Sequence, residues 1–95
     1  MLDNLTLTEE RMILCEHSMI TDGKERINYY FYSIAASSGK EYYAIEVENN
    51  DFSELCVVGD EFESAKEIYS GVVDGRVSAL TLDDIIHDMK MSKNY

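Results

Sequence analysis

The sequence predicts an α+β fold: a four-stranded antiparallel β-meander followed by two short helices packed on one face of the sheet. Four β-prone runs separated by turn residues come first, and two amphipathic helical patterns follow them. Two turns chosen on local chemistry also agree on one apolar sheet face. A chain of 95 residues forms a single domain over 1–95, and its ends at 1–9 and 92–95 are candidates for disorder.

The first hairpin is predicted from the alternating run at residues 11–20 and the turn after it. Asp22-Gly23 is the preferred centre of a two-residue type I′ turn, because both central residues must accept a positive φ. This turn sets Thr21 opposite Lys24, and hence Cys15 opposite Tyr30.

The second hairpin is rich in tyrosine, since five of the seven tyrosines lie between residues 27 and 48. Its turn can be read as Ser38-Gly39 alone or as all four residues from Ser37 to Lys40. Both choices set Ala36 opposite Glu41. A three- or five-residue loop would shift the pairing by one residue and move every side chain to the other face.

Together the two turns divide the side chains between two faces. The predicted core face carries Ile13, Cys15, His17, Met19, Tyr30, Tyr32, Ile34, Ala36, Tyr43, Ile45 and Val47. The opposite face carries Leu14, Glu16, Ser18, Ile20, Ile27, Tyr29, Phe31, Ser33, Tyr42, Ala44, Glu46 and Glu48. The first face is the more apolar, so we expect the helices to cover it.

The remaining elements follow from shorter signals. Residues 55–58 form an apolar run that suits a fourth strand, which Gly59 ends. Asp60 is a good N-cap for the first helix, and Gly75 is a plausible stop. The apolar stripe of this helix consists of Phe62, Ala65, Ile68, Tyr69, Val72 and Val73. A second helix is expected from Thr81, with Leu82, Ile85, Ile86 and Met89 on one side.

The charge is strongly acidic, with a formal net value of −11. Between residues 41 and 75 there are ten acids and one base, Lys66. Such a surface repels phosphates, so we expect neither direct nucleic-acid binding nor contact with anionic membranes. It serves solubility, complements a basic partner, or mimics nucleic acid. No apolar run approaches the ~20 residues of a membrane span and no signal segment opens the chain, which predicts a cytoplasmic protein.

No pattern for catalysis or metal binding is convincing. Cys15 and His17 share a predicted strand face and Cys56 could join them, but structural zinc normally needs four ligands. We therefore expect both cysteines to be small buried thiols. The acids and His87 at residues 83–88 could hold a divalent metal from one helix face, but the favourable position of acids at the start of a helix explains them without a metal. The sequence thus predicts a non-enzymatic protein with no cofactor and no metal ion.

The face opposite the predicted core is the candidate binding surface. Its proposed partner-binding residues are Tyr29, Phe31, Tyr42, Glu46 and Glu48. Tyrosine buries much area at low entropic cost, which suits protein recognition or homodimerisation. Cross-strand aromatic pairs that only stabilise a half-exposed sheet explain the pattern as well. An acidic nucleic-acid mimic and a metal-dependent enzyme remain as alternatives.

Two segments carry a family resemblance. These are the strand segment Tyr43-Ala44-Ile45 and the helical segment Leu82-Asp83-Asp84-Ile85-Ile86-His87-Asp88. With them, roughly residues 10–90 resemble short proteins of Clostridia-type Firmicutes that form a domain family of unknown function. The resemblance implies a small bacterial cytoplasmic protein and transfers no activity or site residue.

Overall fold

The computed structural model describes residues 11–50 and 52–92 and contains the predicted α+β layers. The elements are β1 (Arg11–Asp22), β2 (Glu25–Ala35), β3 (Glu41–Asn49), β4 (Phe52–Gly59), α1 (Phe62–Asp74), a 3₁₀ turn (Ala79–Thr81) and α2 (Leu82–Ser92). The strands form one antiparallel sheet in the order β1-β2-β3-β4, and both helices pack on the sheet. The fold-class prediction is confirmed. The expected disorder at 1–9 and 93–95 falls outside the described residues, whereas Ser92 ends α2.

The first hairpin turns one residue later than predicted. Gly23 and Lys24 form the turn, Gly23 takes the positive φ of 65°, and Asp22 pairs with Glu25. A glycine at the first central position meets the positive-φ requirement alone, so Asp22 stays in the strand. The prediction that Thr21 faces Lys24 was wrong, because Thr21 faces Arg26.

A β-bulge at Cys15 changes which side chains of β1 face the helices. His17 pairs with Tyr30 and Glu16 with Phe31, but Leu14 pairs with Tyr32. The extra residue reverses the alternation along the strand. Cys15 is consequently exposed, and the prediction that it is a buried thiol opposite Tyr30 was wrong.

The loop of the second hairpin determines which side chains of β2 and β3 share a face of the sheet. Ala35, not Ala36, pairs with Glu41, so the loop contains the five residues 36–40. The backbone closes it by hydrogen bonds from Ala36 N–H to Lys40 O and from Gly39 N–H to Ala36 O, both at 2.9 Å. Gly39 takes a φ of 92°. This odd loop length shifts the register by one residue and exchanges the faces of β2 relative to β3.

The core is therefore built from the other set of β2 side chains. The buried cluster contains Ile27, Tyr29, Phe31, Ile45, Val47, Val58, Ala65, Ile68, Tyr69, Val72, Val77, Ala79, Leu82 and Ile86. The prediction was correct for β3, where Ile45 and Val47 are fully buried and Tyr43 packs against the cluster. It was wrong for β2, whose predicted core residues Tyr30, Tyr32 and Ile34 are only half-buried, on the other face.

Aromatic contacts and hydrogen bonds tie the core of the sheet to the helical layer. The Tyr29 hydroxyl donates to Val77 O at 3.0 Å, between β2 and the segment after α1. The Tyr69 hydroxyl on α1 lies 3.0 Å from Ser18 Oγ and 3.2 Å from Tyr29 O. Its ring lies 5.2 Å from the Phe31 ring. The hydroxyl groups of these two buried tyrosines thus have hydrogen-bond partners.

The helix α1 buries residues of its predicted apolar stripe, but its two ends differ from the prediction. Glu61, not Asp60, is its N-cap. At the other end Arg76 takes the left-handed φ of 53°, while Gly75 is right-handed. The N–H groups of Arg76 and Val77 bond to Val73 O and Val72 O, the paired bonds of a Schellman motif.

Gly71 lies inside α1 at the place where α2 approaches. A Cβ on Gly71 would lie 2.8 Å from Met89 Cε. A glycine inside a helix costs about 1 kcal/mol relative to alanine. That atom is the flexible end of the Met89 side chain, which can move aside at little cost, so the contact does not by itself require glycine at position 71.

Candidate functional site

One broad face of the sheet carries neither of the described helices. Successive side chains of a strand point to opposite faces, and both helices pack on the Tyr29 and Phe31 side. We call the other side the open face. Its residues are Met12, Leu14, His17, Met19, Thr21, Arg26, Asn28, Tyr30, Tyr32, Ile34, Tyr42, Ala44, Glu46, Glu48, Ser53, Leu55 and Val57.

The open face exposes large apolar side chains along both of its edges. Met12, Leu14 and Met19 on β1 are 49–54% exposed, and Leu55 and Val57 on β4 are 44% and 50% exposed. Leu14 and Val57 lie in one cross-strand line with Tyr32 and Ala44, and each neighbouring pair in this line is in side-chain reach, so the line connects the two edges. Contiguous apolar patches of this kind usually mark interaction sites on folded proteins.

A row of stacked rings runs from His17 on β1 along Tyr30 and Tyr32 on β2. His17 stacks on Tyr30 with 4.8 Å between ring centroids and 11° between planes. Tyr30 stacks on Tyr32 at 6.1 Å and 22°. His17 Nε2 lies 3.0 Å from Asn28 Oδ1, which holds the imidazole in place at the end of the row. We call His17, Tyr30 and Tyr32 the aromatic row.

Two glutamates of β3 accept hydrogen bonds from the tyrosines of the row. The Tyr32 hydroxyl donates to Glu46 Oε1 at 2.9 Å, and the Tyr30 hydroxyl donates to Glu48 Oε1 at 3.3 Å. Burial raises the pKa of Tyr32 to about 12, aided by the hydrogen bond to Glu46 and by its charge. Burial, followed by the charge of Glu48, also raises the pKa of Tyr30. Both phenols therefore stay protonated donors near neutral pH, and they orient the two carboxylates.

The structure separates the five residues that the sequence singled out for partner binding. Tyr42 and Glu46 are half-buried on the open face, and Glu48 is exposed there. Tyr29 and Phe31 are wholly buried in the core at 0% exposure, so the prediction that they lie on the accessible face was wrong. The physical reason is the five-residue loop, which puts the odd-numbered residues of β2 against the helices.

The aromatic row was missed because its tyrosines were assigned to the core. One signal pointed the other way: Asn28 shares the alternation of Tyr30 and Tyr32, whereas Ile27 shares that of Tyr29 and Phe31. A buried asparagine needs partners for its amide, so the even-numbered side of β2 is the poorer core face.

The cysteines and histidines do not converge on a common point. Cys15 is exposed at the bulge, His17 lies on the open face, and Cys56 is half-buried on the helix side. Burial raises the pKa of the Cys56 thiol to about 11, helped by a hydrogen bond with Asp83 and by its charge. Such a thiol is protonated at neutral pH and is a poor nucleophile. Within residues 11–50 and 52–92, no group of three or more His, Cys, Asp and Glu side chains could hold a metal ion.

Comparison with family models, with curated proteins and with solved structures finds no match to this chain. The resemblance to the clostridial proteins accordingly stays a prediction. Among the helices of the described segments, none is both long and apolar enough to cross a membrane.

Proposed function

We propose that this protein is a non-enzymatic interaction module that binds another protein through the open face. The observation that carries the proposal is the combination of exposed apolar edges and a stacked aromatic row on one face of the sheet. Interface centres are enriched in tyrosine and methionine, and a monomer rarely leaves such a patch uncovered. The proposed compartment is the bacterial cytoplasm, where Cys15 and Cys56 would remain reduced thiols.

The charge of the open face favours a partner other than a second copy. Glu46 and Glu48 lie at the centre of the face, and Arg26 is its one cation among the described strand residues. Two copies packed face to face would bring four carboxylates into one interface, within a dimer that carries twice the net charge of −11. Desolvating like charges together is unfavourable. A partner with an apolar and positively charged surface fits better.

The described acids between residues 41 and 75 do not gather on one surface. Glu46 and Glu48 lie on the open face, Glu41 and Glu54 belong to the helix side of the sheet, and Glu63 and others lie on α1. A mimic of nucleic acid needs a continuous row of negative charge. Protein recognition through the open face is therefore the function that the geometry supports best.

Site-specific photocrosslinking in the native cells tests this proposal. A benzophenone amino acid replaces Met19 on the open face, and in the control it replaces Leu80, which is 72% exposed on the 3₁₀ turn. We expect an adduct with a different protein from position 19 and none from position 80. The adduct should disappear when Leu55→Asp is added, since Leu55 lies on the opposite edge of the same face.

Two results would contradict the proposal. One is the same set of adducts from positions 19 and 80, or no adduct from position 19. The other is an adduct that joins two copies of this chain, which would identify self-association and overturn the choice of a different partner.

A further inference from the structure

We infer, as an extension that rests on the proposed function, that the centre of the open face is a subsite for an arginine side chain of the partner. The guanidinium would stack on the face of the Tyr32 ring that Tyr30 does not cover, because the Tyr30 ring already lies between His17 and Tyr32. Its N–H groups would donate to Glu46 and Glu48. These four side chains lie on two adjacent strands, with Tyr30 directly opposite Glu46. The subsite thus combines a π surface with two carboxylates.

The two carboxylates are fixed in place but retain capacity for a ligand. Each accepts one tyrosine hydroxyl through Oε1, and neither takes part in the two ion pairs among the described residues, Lys40–Asp60 and Lys66–Glu16. An ionised carboxylate has about four lone-pair positions, so Oε2 of each group is left to accept from a cation. Glu46 and Glu48 are two residues apart on β3, which spaces their Cα atoms by about 7 Å.

The flanking rings favour a cation that can lie flat. Tyr30 and Tyr32 are nearly parallel, with 22° between their planes, and both are half-buried in the sheet surface. A guanidinium is planar, weakly hydrated and able to stack on an aromatic ring while its N–H groups reach carboxylates in the plane. An ammonium is a compact and strongly hydrated charge that cannot stack in this way. The site therefore discriminates arginine from lysine.

The apolar edges explain how one arginine can be held by so exposed a site. Leu14 and Val57 flank Tyr32 and Ala44 in a cross-strand line, and Leu55 flanks Glu46. When apolar side chains of the partner cover these edges, water leaves the centre of the face. The ion pairs and the cation–π contact then strengthen, because the local dielectric constant falls.

The inference is tested by NMR titration with two synthetic peptides of equal charge, acetyl-Leu-Arg-Leu-amide and acetyl-Leu-Lys-Leu-amide. We expect saturable shifts of the Tyr30 and Tyr32 ring signals with the arginine peptide, and at least fivefold weaker binding of the lysine peptide. The double variant Glu46→Gln/Glu48→Gln should bind the arginine peptide at least tenfold more weakly. The matched control Glu63→Gln/Glu67→Gln removes the same charge from α1 and should bind like the natural protein.

Equal affinity for the two peptides, or unchanged affinity in Glu46→Gln/Glu48→Gln, would overturn the arginine subsite. The amide spectra of the variants show whether each is folded, and substitution of glutamate by glutamine at these positions preserves side-chain shape. If the arginine subsite fails while the adduct at position 19 persists, the proposed function stands without it. Loss of that adduct instead contradicts the proposed function itself.

Discussion

The Tyr32 hydroxyl on β2 donates a hydrogen bond to Glu46 Oε1 on the adjacent strand β3 at 2.9 Å, on the face of the sheet that neither described helix covers. The contact joins a ring of the aromatic row to a carboxylate at the centre of the open face. It uses the neutral phenol as donor and the ionised carboxylate as acceptor. The arrangement is consequently stable only while Tyr32 keeps its proton.

Tyr32 should be the tyrosine whose ionisation is most visibly delayed. Burial, the hydrogen bond to Glu46 and the glutamate charge raise its pKa to about 12, against about 10 in the unfolded chain. Since the folded state holds this proton more tightly, the associated stability is fully present below pH 10 and is lost as the pH rises toward 12. The pKa values of Tyr29, Tyr30, Tyr43 and Tyr69 are raised as well, so ultraviolet absorbance titration should show one late-titrating tyrosine fewer in Tyr32→Phe than in the natural protein. An unchanged amplitude of the late step in Tyr32→Phe would contradict this assignment.

Asn49 should stabilise the junction of the sheet with the 3₁₀ turn. It is buried at 6% exposure, its Oδ1 accepts from Ala79 N–H at 3.0 Å, and its Nδ2 donates to Glu25 Oε2 at 3.0 Å. In Asn49→Ala the buried N–H of Ala79 loses its acceptor, which should lower the free energy of unfolding by about 1–3 kcal/mol. Urea unfolding measures this loss, and hydrogen exchange should show a faster Ala79 amide.

The neighbouring Asn50 offers a matched control for that loss. Asn50 also donates to Glu25 Oε2, at 3.2 Å, but it is exposed and takes a positive φ of 52°. Asn50→Gly keeps the backbone conformation without strain, so we expect a change of less than about 0.5 kcal/mol. Equal losses in the two variants would show that burial of Asn49 is not what matters.

Arg76→Gly should stabilise the protein. Arg76 holds a left-handed φ of 53° at the end of α1, a conformation that costs a residue with a Cβ about 1 kcal/mol. Glycine removes this strain but gains freedom in the unfolded chain, so a net gain of about 0.5 kcal/mol is expected. In a domain of this size the melting temperature should rise by roughly 2–4 °C. Arg76→Ala removes the same charge but keeps the strain, and a similar rise there would contradict the explanation.

Local chemistry was enough to predict the order of elements and most of the helical packing. The stripe of Ala65, Ile68, Tyr69 and Val72 is buried as its spacing indicates, and Leu82 and Ile86 are buried in α2. These predictions depend on the 3.6-residue period of a helix, which an error of one residue at either end does not change.

The faces of the strands were harder to predict, because their period is two. A difference of one residue in the length of the 36–40 loop was enough to put Phe31 in the core and Tyr30 on the open face. The bulge at Cys15 reversed the alternation a second time, within β1. The alternation of β3 was assigned correctly because Ile45 and Val47 are clearly more apolar than Glu46 and Glu48. On β2 both sides carry aromatic rings, so the hydrophobic pattern alone could not correct the loop.

The central claim is that Tyr30 and Tyr32 lie on the surface available for binding, while Tyr29 and Phe31 form the core. Chemical unfolding of Tyr30→Ala and Phe31→Ala tests it most directly, because these adjacent residues occupy opposite faces of one strand. We predict that Phe31→Ala lowers the free energy of unfolding by about 3–5 kcal/mol, which is a large part of the total stability of a small domain. Tyr30→Ala should lower the free energy of unfolding by about 1 kcal/mol or less, which is what cross-strand aromatic contacts contribute. A larger loss in Tyr30→Ala than in Phe31→Ala would place the other face in the core and contradict the account.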